Sequence, residues 1–144
     1  MNNKEAEKKI IAPKEYREIL NSIDLKNIFL KSCSCELERE KVSPDTKVNI
    51  SDTALILKQE KDYLEILHSY IFEAMSQQKK ERFLIIKCEY ILEYAAAKEI
   101  TNSFFDIFKR TSLLLNSWPF FREFVNNITS RMYIPPFTLP LIKR

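Results

Sequence analysis

The chain has 144 residues, a formal net charge of +3 and 45% hydrophobic residues, which fits a single globular domain with a core of its own and excludes a disordered chain. It contains no glycine, and the loops that cradle phosphates in nucleotide- and dinucleotide-binding proteins need glycine for close backbone approach, so those classes and their cofactors are excluded. Lys and Arg interleave with Glu, as in Lys79-Lys80-Glu81-Arg82, which describes a solvated mixed surface rather than the basic stripe of a nucleic-acid binder.

Residues 1–22 are charged and lack the apolar centre of a signal peptide; they read as a partly ordered tail, helical around Pro13–Asn21, where Tyr16, Ile19 and Leu20 share a face. With no apolar run long enough to span a bilayer, a cytoplasmic protein without membrane insertion is expected. Residues 23–144 read as one domain. Leu25–Glu40 is the first strand. Its second half alternates, with Cys33, Cys35 and Leu37 on one face, whereas Ile28, Phe29 and Leu30 run together and ask for a bulge or for burial on both faces. Lys41–Asp52 reads as a loop around Ser43-Pro44-Asp45, and Thr53–Lys58 as a short extended piece. Tyr63–Met75 is a strong strand with Leu64, Ile66, His68, Tyr70, Phe72 and Ala74 on one face. Ser76–Glu81 is a polar hairpin connection, and Phe83–Tyr94 is a third strong strand with Leu84, Ile86, Cys88, Tyr90, Leu92 and Tyr94 facing one way. Thr101–Thr111 reads as a short helix. Trp118, Phe121, Val125, Ile128 and Met132 then recur at helical spacing, so a long helix is expected over Trp118–Met132, capped by Ser117 or Asn116, with Pro119 in its first turn. Pro135-Pro136 would stop it, leaving Phe137–Ile142 as a short extended segment. The order predicts an α+β fold: a four-stranded antiparallel sheet with helices on one face.

Cys33, Cys35, Cys88 and His68 could meet on adjacent strands, but the C-x-x-C turn of a zinc site is absent; buried reduced thiols are the reading, and no metal is expected. His68 is the only histidine, and neither a nucleophile–base motif nor a carboxylate pair stands out, so the chain does not read as an enzyme. Ten Phe, six Tyr and one Trp either fill the core or line an exposed apolar groove for another polypeptide. Phe120 and Phe124 widen the stripe of the long helix beyond the needs of one core, which predicts contact with another subunit through Phe120, Phe124 and Ile128.

The end of the chain carries a resemblance. Pro119-Phe120-Phe121-Arg122-Glu123, then Ser130-Arg131, then Pro135-Pro136-Phe137-Thr138-Leu139-Pro140-Leu141 resemble the corresponding run of the SecB family of export chaperones, and upstream the order of elements from Ile23 to Lys143 follows the same pattern. The resemblance implies a SecB-like fold, assembly as a homotetramer (a dimer of dimers), and ATP-independent binding of unfolded polypeptides in apolar grooves. Phe29, Leu30, Phe104, Phe105, Phe108 and Trp118 are the residues expected there. Family members pass clients to the SecA motor through carboxylates, but here Asn27 and Lys31 stand where the first strand would carry an aspartate and a glutamate, so weak or no SecA binding is expected. The expected elements also stop short of the family's second helix and acidic tail. Short divergent SecB-like proteins also serve toxin–antitoxin systems, which makes an antitoxin a second kind of client. An oligomeric interaction adaptor without chaperone activity is the alternative use of such a fold.

Overall fold

The computed structural model describes residues 10–142; the first nine residues of the expected tail, and the last two of the chain, lie outside them. Four strands of 15 residues each, β1 (Ile23–Leu37), β2 (Thr46–Glu60), β3 (Asp62–Ser76) and β4 (Arg82–Ala96), form one antiparallel sheet in the order β1-β4-β3-β2. Helices α1 (Pro13–Asn21), α2 (Asn102–Phe108) and α3 (Ser112–Arg131) cover one face. The inner faces of β3 and β4 are the predicted ones: Leu64, Ile66, Phe72, Ala74, Leu84, Ile86 and Leu92 are buried to within 1%. Strict alternation made that face legible, because a strand places every second side chain on one side.

The interior is sealed by aromatic packing. Tyr70 stacks on Phe121 of α3 with ring centroids 4.5 Å apart, and Phe104 of α2 lies between Tyr16 of α1 at 4.8 Å and Phe108 at 5.3 Å. Ile11 and Ile19 join the same core, so the described part of the N-terminal segment packs on the domain.

Three sequence expectations are corrected. The fourth strand is β2, where a loop and a short extended piece were expected, and Phe137–Ile142 forms no strand. β2 was hard to read because it is an edge strand with Asp52 in its inward row (Val48, Ile50, Asp52, Ala54, Ile56) and an extra residue, Leu57, at a bulge. The long helix begins at Ser112, with Pro119 in its interior. Leu113 and Ser117 are fully buried and extend the inward stripe by one turn; that packing offsets the roughly 3 kcal/mol an interior proline costs. The far end of the helix lies where the sequence put it, with Met132 as C-cap ahead of the prolines: Tyr133 N–H bonds the Ser130 carbonyl and Ile134 N–H the Thr129 carbonyl, with Tyr133 in the left-handed region at φ 57°, which is a Schellman ending. In β1, the run Ile28-Phe29-Leu30 is resolved by bulges on either side, at Lys26 and at Lys31.

A chain without glycine must place other residues at positive φ. Among the described residues Tyr133 is the bulkiest of the three that do so, alongside Asp62 and Lys80, and its side chain is 91% exposed. Tyr133→Gly removes the left-handed strain at the cost of a more disordered unfolded chain. We expect a gain of about 0.5–1 kcal/mol and a rise in Tm of about 2–3 °C in a thermal melt.

Candidate functional site

The connection from β1 to β2 has to cross the end of the sheet, because these two strands are its opposite edges. It is pinned at both ends of its path. Glu38 N–H bonds the Phe83 carbonyl at 2.8 Å, and the Arg39 guanidinium donates to the Met132 and Tyr133 carbonyls at the end of α3, where the helix dipole favours a cation. Further on, the Asp45 carboxylate accepts from the Ser43 hydroxyl, from Gln78 N–H at 2.8 Å and from the Ser76 hydroxyl at 3.1 Å. These donors, Ser43 first, hold its carboxyl below the usual carboxylate value.

Between this crossover and the chain leaving α3 lies a groove of about 360 Å3, lined by Val42, Ser43, Pro44, Thr46, Phe83 and Ile134-Pro135-Pro136-Phe137. Its walls are apolar except for two hydroxyls, and Val42 remains 38% exposed. Two of its walls are loop segments rich in proline, whose shape is set by fixed φ and the clamps just described. A trough of this kind accepts apolar side chains by burial, with little demand on their sequence.

The residues expected from the sequence are distributed elsewhere. Phe104, Phe105, Phe108 and Trp118 are buried core side chains. Leu30 lies at the β1 edge opposite Tyr90, and Phe29 faces away from the helices, at the end of a transverse row that runs Leu55–Leu67–Ile91–Phe29 through all four strands. None of the six lines the groove. Asn27 is exposed opposite Glu93, and Lys31 is exposed at the second β1 bulge. Phe120, Phe124 and Ile128 do share one stripe of α3, with Phe120 46% exposed and the other two half-buried. The groove left only a faint trace in the sequence: Ser43-Pro44 reads as a turn and Pro135-Pro136 as a helix stop within the SecB-like run, and nothing in the sequence joins the two until the crossover brings them together.

Cys33 sits directly opposite Cys88 in the β1–β4 pairing. Burial pushes the Cys88 thiol up to about 12, so it stays protonated. Both His68 ring nitrogens bond groups other than the thiols. Its Nε2 is 2.8 Å from Asp52 Oδ2 and its Nδ1 is 2.7 Å from Ser117 Oγ, which is in turn 2.6 Å from the Tyr70 hydroxyl. One consistent direction satisfies every group: Tyr70 donates to Ser117, Ser117 to His68 Nδ1, and His68 Nε2–H to the Asp52 carboxylate. Ser117 has no exposed surface and its oxygen is engaged on both sides, so no substrate carbonyl can reach it. The chain of hydrogen bonds joins β2, β3 and α3 and supports the packing of the helix on the sheet.

The geometry can be set beside known proteins. No family model matches the chain, and no curated protein matches it. Among solved structures, the Mycobacterium tuberculosis SecB-like chaperone Rv1957, determined with a ChAD peptide from the HigA1 antitoxin, superposes with a TM-score of 0.76 over 89% of this chain and 96% of that one at 15% identity. A Streptococcus agalactiae protein of unknown function matches with a TM-score of 0.53, over 83% and 97% of the two chains, also at 15% identity. The fold is therefore SecB-like, as the ending of the sequence suggested.

The His68 arrangement carries a pH dependence. Burial disfavours the imidazolium, and Asp52 offsets this only in part, so His68 titrates below its ordinary 6.5. Protonation would also leave one buried hydroxyl hydrogen without an acceptor. The unfolded chain thus takes up the proton more readily. The stability His68 contributes is whole above pH 6.5 and is lost as the pH falls from there toward the lower folded-state value. We expect the urea midpoint of the wild type to drop between pH 7.5 and pH 5, and the drop to shrink in His68→Gln. Equal drops in both proteins would assign the effect to other groups.

Proposed function

We propose that this protein is an ATP-independent chaperone that holds extended, apolar segments of non-native polypeptide, with a dedicated client such as an antitoxin as its main substrate, and that it acts by binding rather than catalysis. The observation that carries the reading is the clamped apolar groove between the crossover and Ile134–Phe137 on a SecB-like fold. The antitoxin peptide in the complex of the mycobacterial SecB-like chaperone supports a peptide client of this kind. An unfolded client offers exposed apolar side chains, and at ~25 cal/mol per Å2 of buried apolar surface a few of them give reversible affinity. Among the described residues no helix is long and apolar enough to cross a membrane, and the reading places the protein in the cytoplasm. Asn27 and Lys31, exposed where carboxylates would attract a basic partner, disfavour transfer to SecA.

Binding of a permanently unfolded model protein without nucleotide tests the reading. Val42→Glu puts a charge in the groove at a half-exposed position and is expected to weaken binding about tenfold, or ~1.4 kcal/mol, with little effect on the melt. Leu55→Glu on the opposite face of the sheet serves as the control and should leave affinity unchanged. A wild type that binds no unfolded chain refutes the proposal.

The homotetramer belongs to the same proposal. Phe120, Phe124 and Ile128 form one stripe of α3, the first exposed and the other two half-buried, and apolar side chains at that spacing are the material of a helix-to-helix contact between dimers. Phe124→Glu would bury an unpaired charge in that contact, at a cost of several kcal/mol. Light scattering should then report dimers or monomers in place of tetramers. A wild type that is monomeric at micromolar concentration contradicts the assembly.

A further inference from the structure

The segment that leaves α3 does not end at the groove. It turns back and runs along the helix as an extended strap, residues 134–142, without regular secondary structure. Side chains of α3 read its backbone: Trp118 Nε1–H donates to the Pro140 carbonyl at 2.7 Å, Arg122 Nε–H to the Leu139 carbonyl at 2.6 Å, and Thr129 Oγ1 accepts Phe137 N–H at 3.1 Å. Asn126 reaches the intervening Thr138 hydroxyl at 3.4 Å. Two alternate side chains supply the burial. The Phe137 ring meets Phe72 edge-on at 5.3 Å, and Leu139 is 5% exposed, whereas Leu141 is left largely in solvent.

Backbone hydrogen bonds combined with pockets for every second side chain form the general mode by which extended peptides of loose sequence are recognised. Trp118, Arg122, Asn126 and Thr129 stand at helical spacing along one flank of α3 and form the polar half of such a seat, with Phe72 and the neighbouring core as its apolar half. The seat is continuous with the groove, because Ile134–Phe137 is both the start of the strap and one wall of the groove. Its occupant, Ile134-Pro-Pro-Phe-Thr-Leu-Pro-Leu-Ile142, has the composition of the apolar, unpaired stretch that an unfolded polypeptide presents.

We propose that the strap is an internal pseudo-client: it fills a peptide seat along α3, and an extended apolar segment of a client displaces it to extend binding from the groove along the helix. The inference rests on the chaperone reading above and adds its regulation. A tethered competitor lowers the apparent affinity by the fraction of time it leaves the seat open, so sites that bind weakly on their own are screened out and only long or strongly apolar client segments are retained.

The test uses full-length protein and two probes, a labelled peptide with the sequence of residues 134–142 and a permanently unfolded, carboxymethylated model protein. Leu139→Asp lifts the strap beyond Phe137 and leaves the groove wall, Ile134–Phe137, held by the Schellman ending and by Thr129. It should bind both probes at least tenfold more tightly than the wild type, roughly what opening a seat that is closed nine-tenths of the time or more would give. A second variant guards against misfolding: Asn126→Cys with Thr138→Cys, in a Cys33→Ser background, locks the strap by a disulfide. Oxidised, it should bind the unfolded protein at least tenfold more weakly than the wild type, and reductant should restore binding. If the wild type binds the unfolded protein but Leu139→Asp binds it no better and the oxidised clamp no worse, the strap is a structural wall and the inference fails alone. If neither the wild type nor any variant binds it, the chaperone reading fails and the inference with it.

Discussion

The structure depends on one chain of hydrogen bonds, Tyr70–Ser117–His68–Asp52. It begins on the stacked contact between Tyr70 and Phe121, passes through a serine with no exposed surface, and ends at a carboxylate on the edge strand β2. The helix α3 can lie this close to the sheet only because a small side chain, Ser117, stands where the tyrosine and histidine rings converge. Every donor in that chain has an acceptor while His68 is neutral, and none can be lost without stranding a buried polar group. Since the walls of the groove hang from the end of α3 and from the crossover that Arg39 ties to it, the position of the helix on the sheet sets the position of the site.

Much of this was legible beforehand, for identifiable reasons. β3 and β4 lie in the centre of the sheet, so apart from His68 their inner rows, Leu64 to Ala74 and Leu84 to Tyr94, are aliphatic, aromatic or thiol side chains and their periodicity speaks clearly. The Pro13–Asn21 helix and the capped α2 also follow from local signals; Thr101 accepts Phe104 N–H as an N-cap should. β2 was obscured because an edge strand can afford Asp52 in its inward row, where the carboxylate answers His68, a partner many residues away. The start of α3 was obscured by Pro119, whose usual place is the first turn; burial of Leu113 outweighed that preference. In both cases a tertiary contact overruled a local rule.

The site itself was not legible. A groove made by a crossover and a proline-rich exit has no periodicity to detect, and its residues come from parts of the chain some ninety positions apart, as the contact between Arg39 and Tyr133 illustrates. Aromatic count pointed instead to the most conspicuous rings. Phe104 and Phe108 went to the core, where a ring contributes most, and Phe29 went to the opposite face of the sheet. The resemblance of the ending to SecB proteins was informative because it rested on a run of residues that all act together: the helix, its Schellman ending and the strap.

In the proposed function, extended apolar polypeptide binds between the crossover and Ile134–Phe137. The most direct measurement places a photo-cross-linking residue at position 42 in the groove or, separately, at position 29 on the outer face of the sheet, and irradiates each protein with an unfolded client. A client held in the groove gives abundant cross-links from position 42 and few from position 29. Cross-links concentrated at position 29, with none at position 42, would contradict it and move the binding surface to the other side of the sheet.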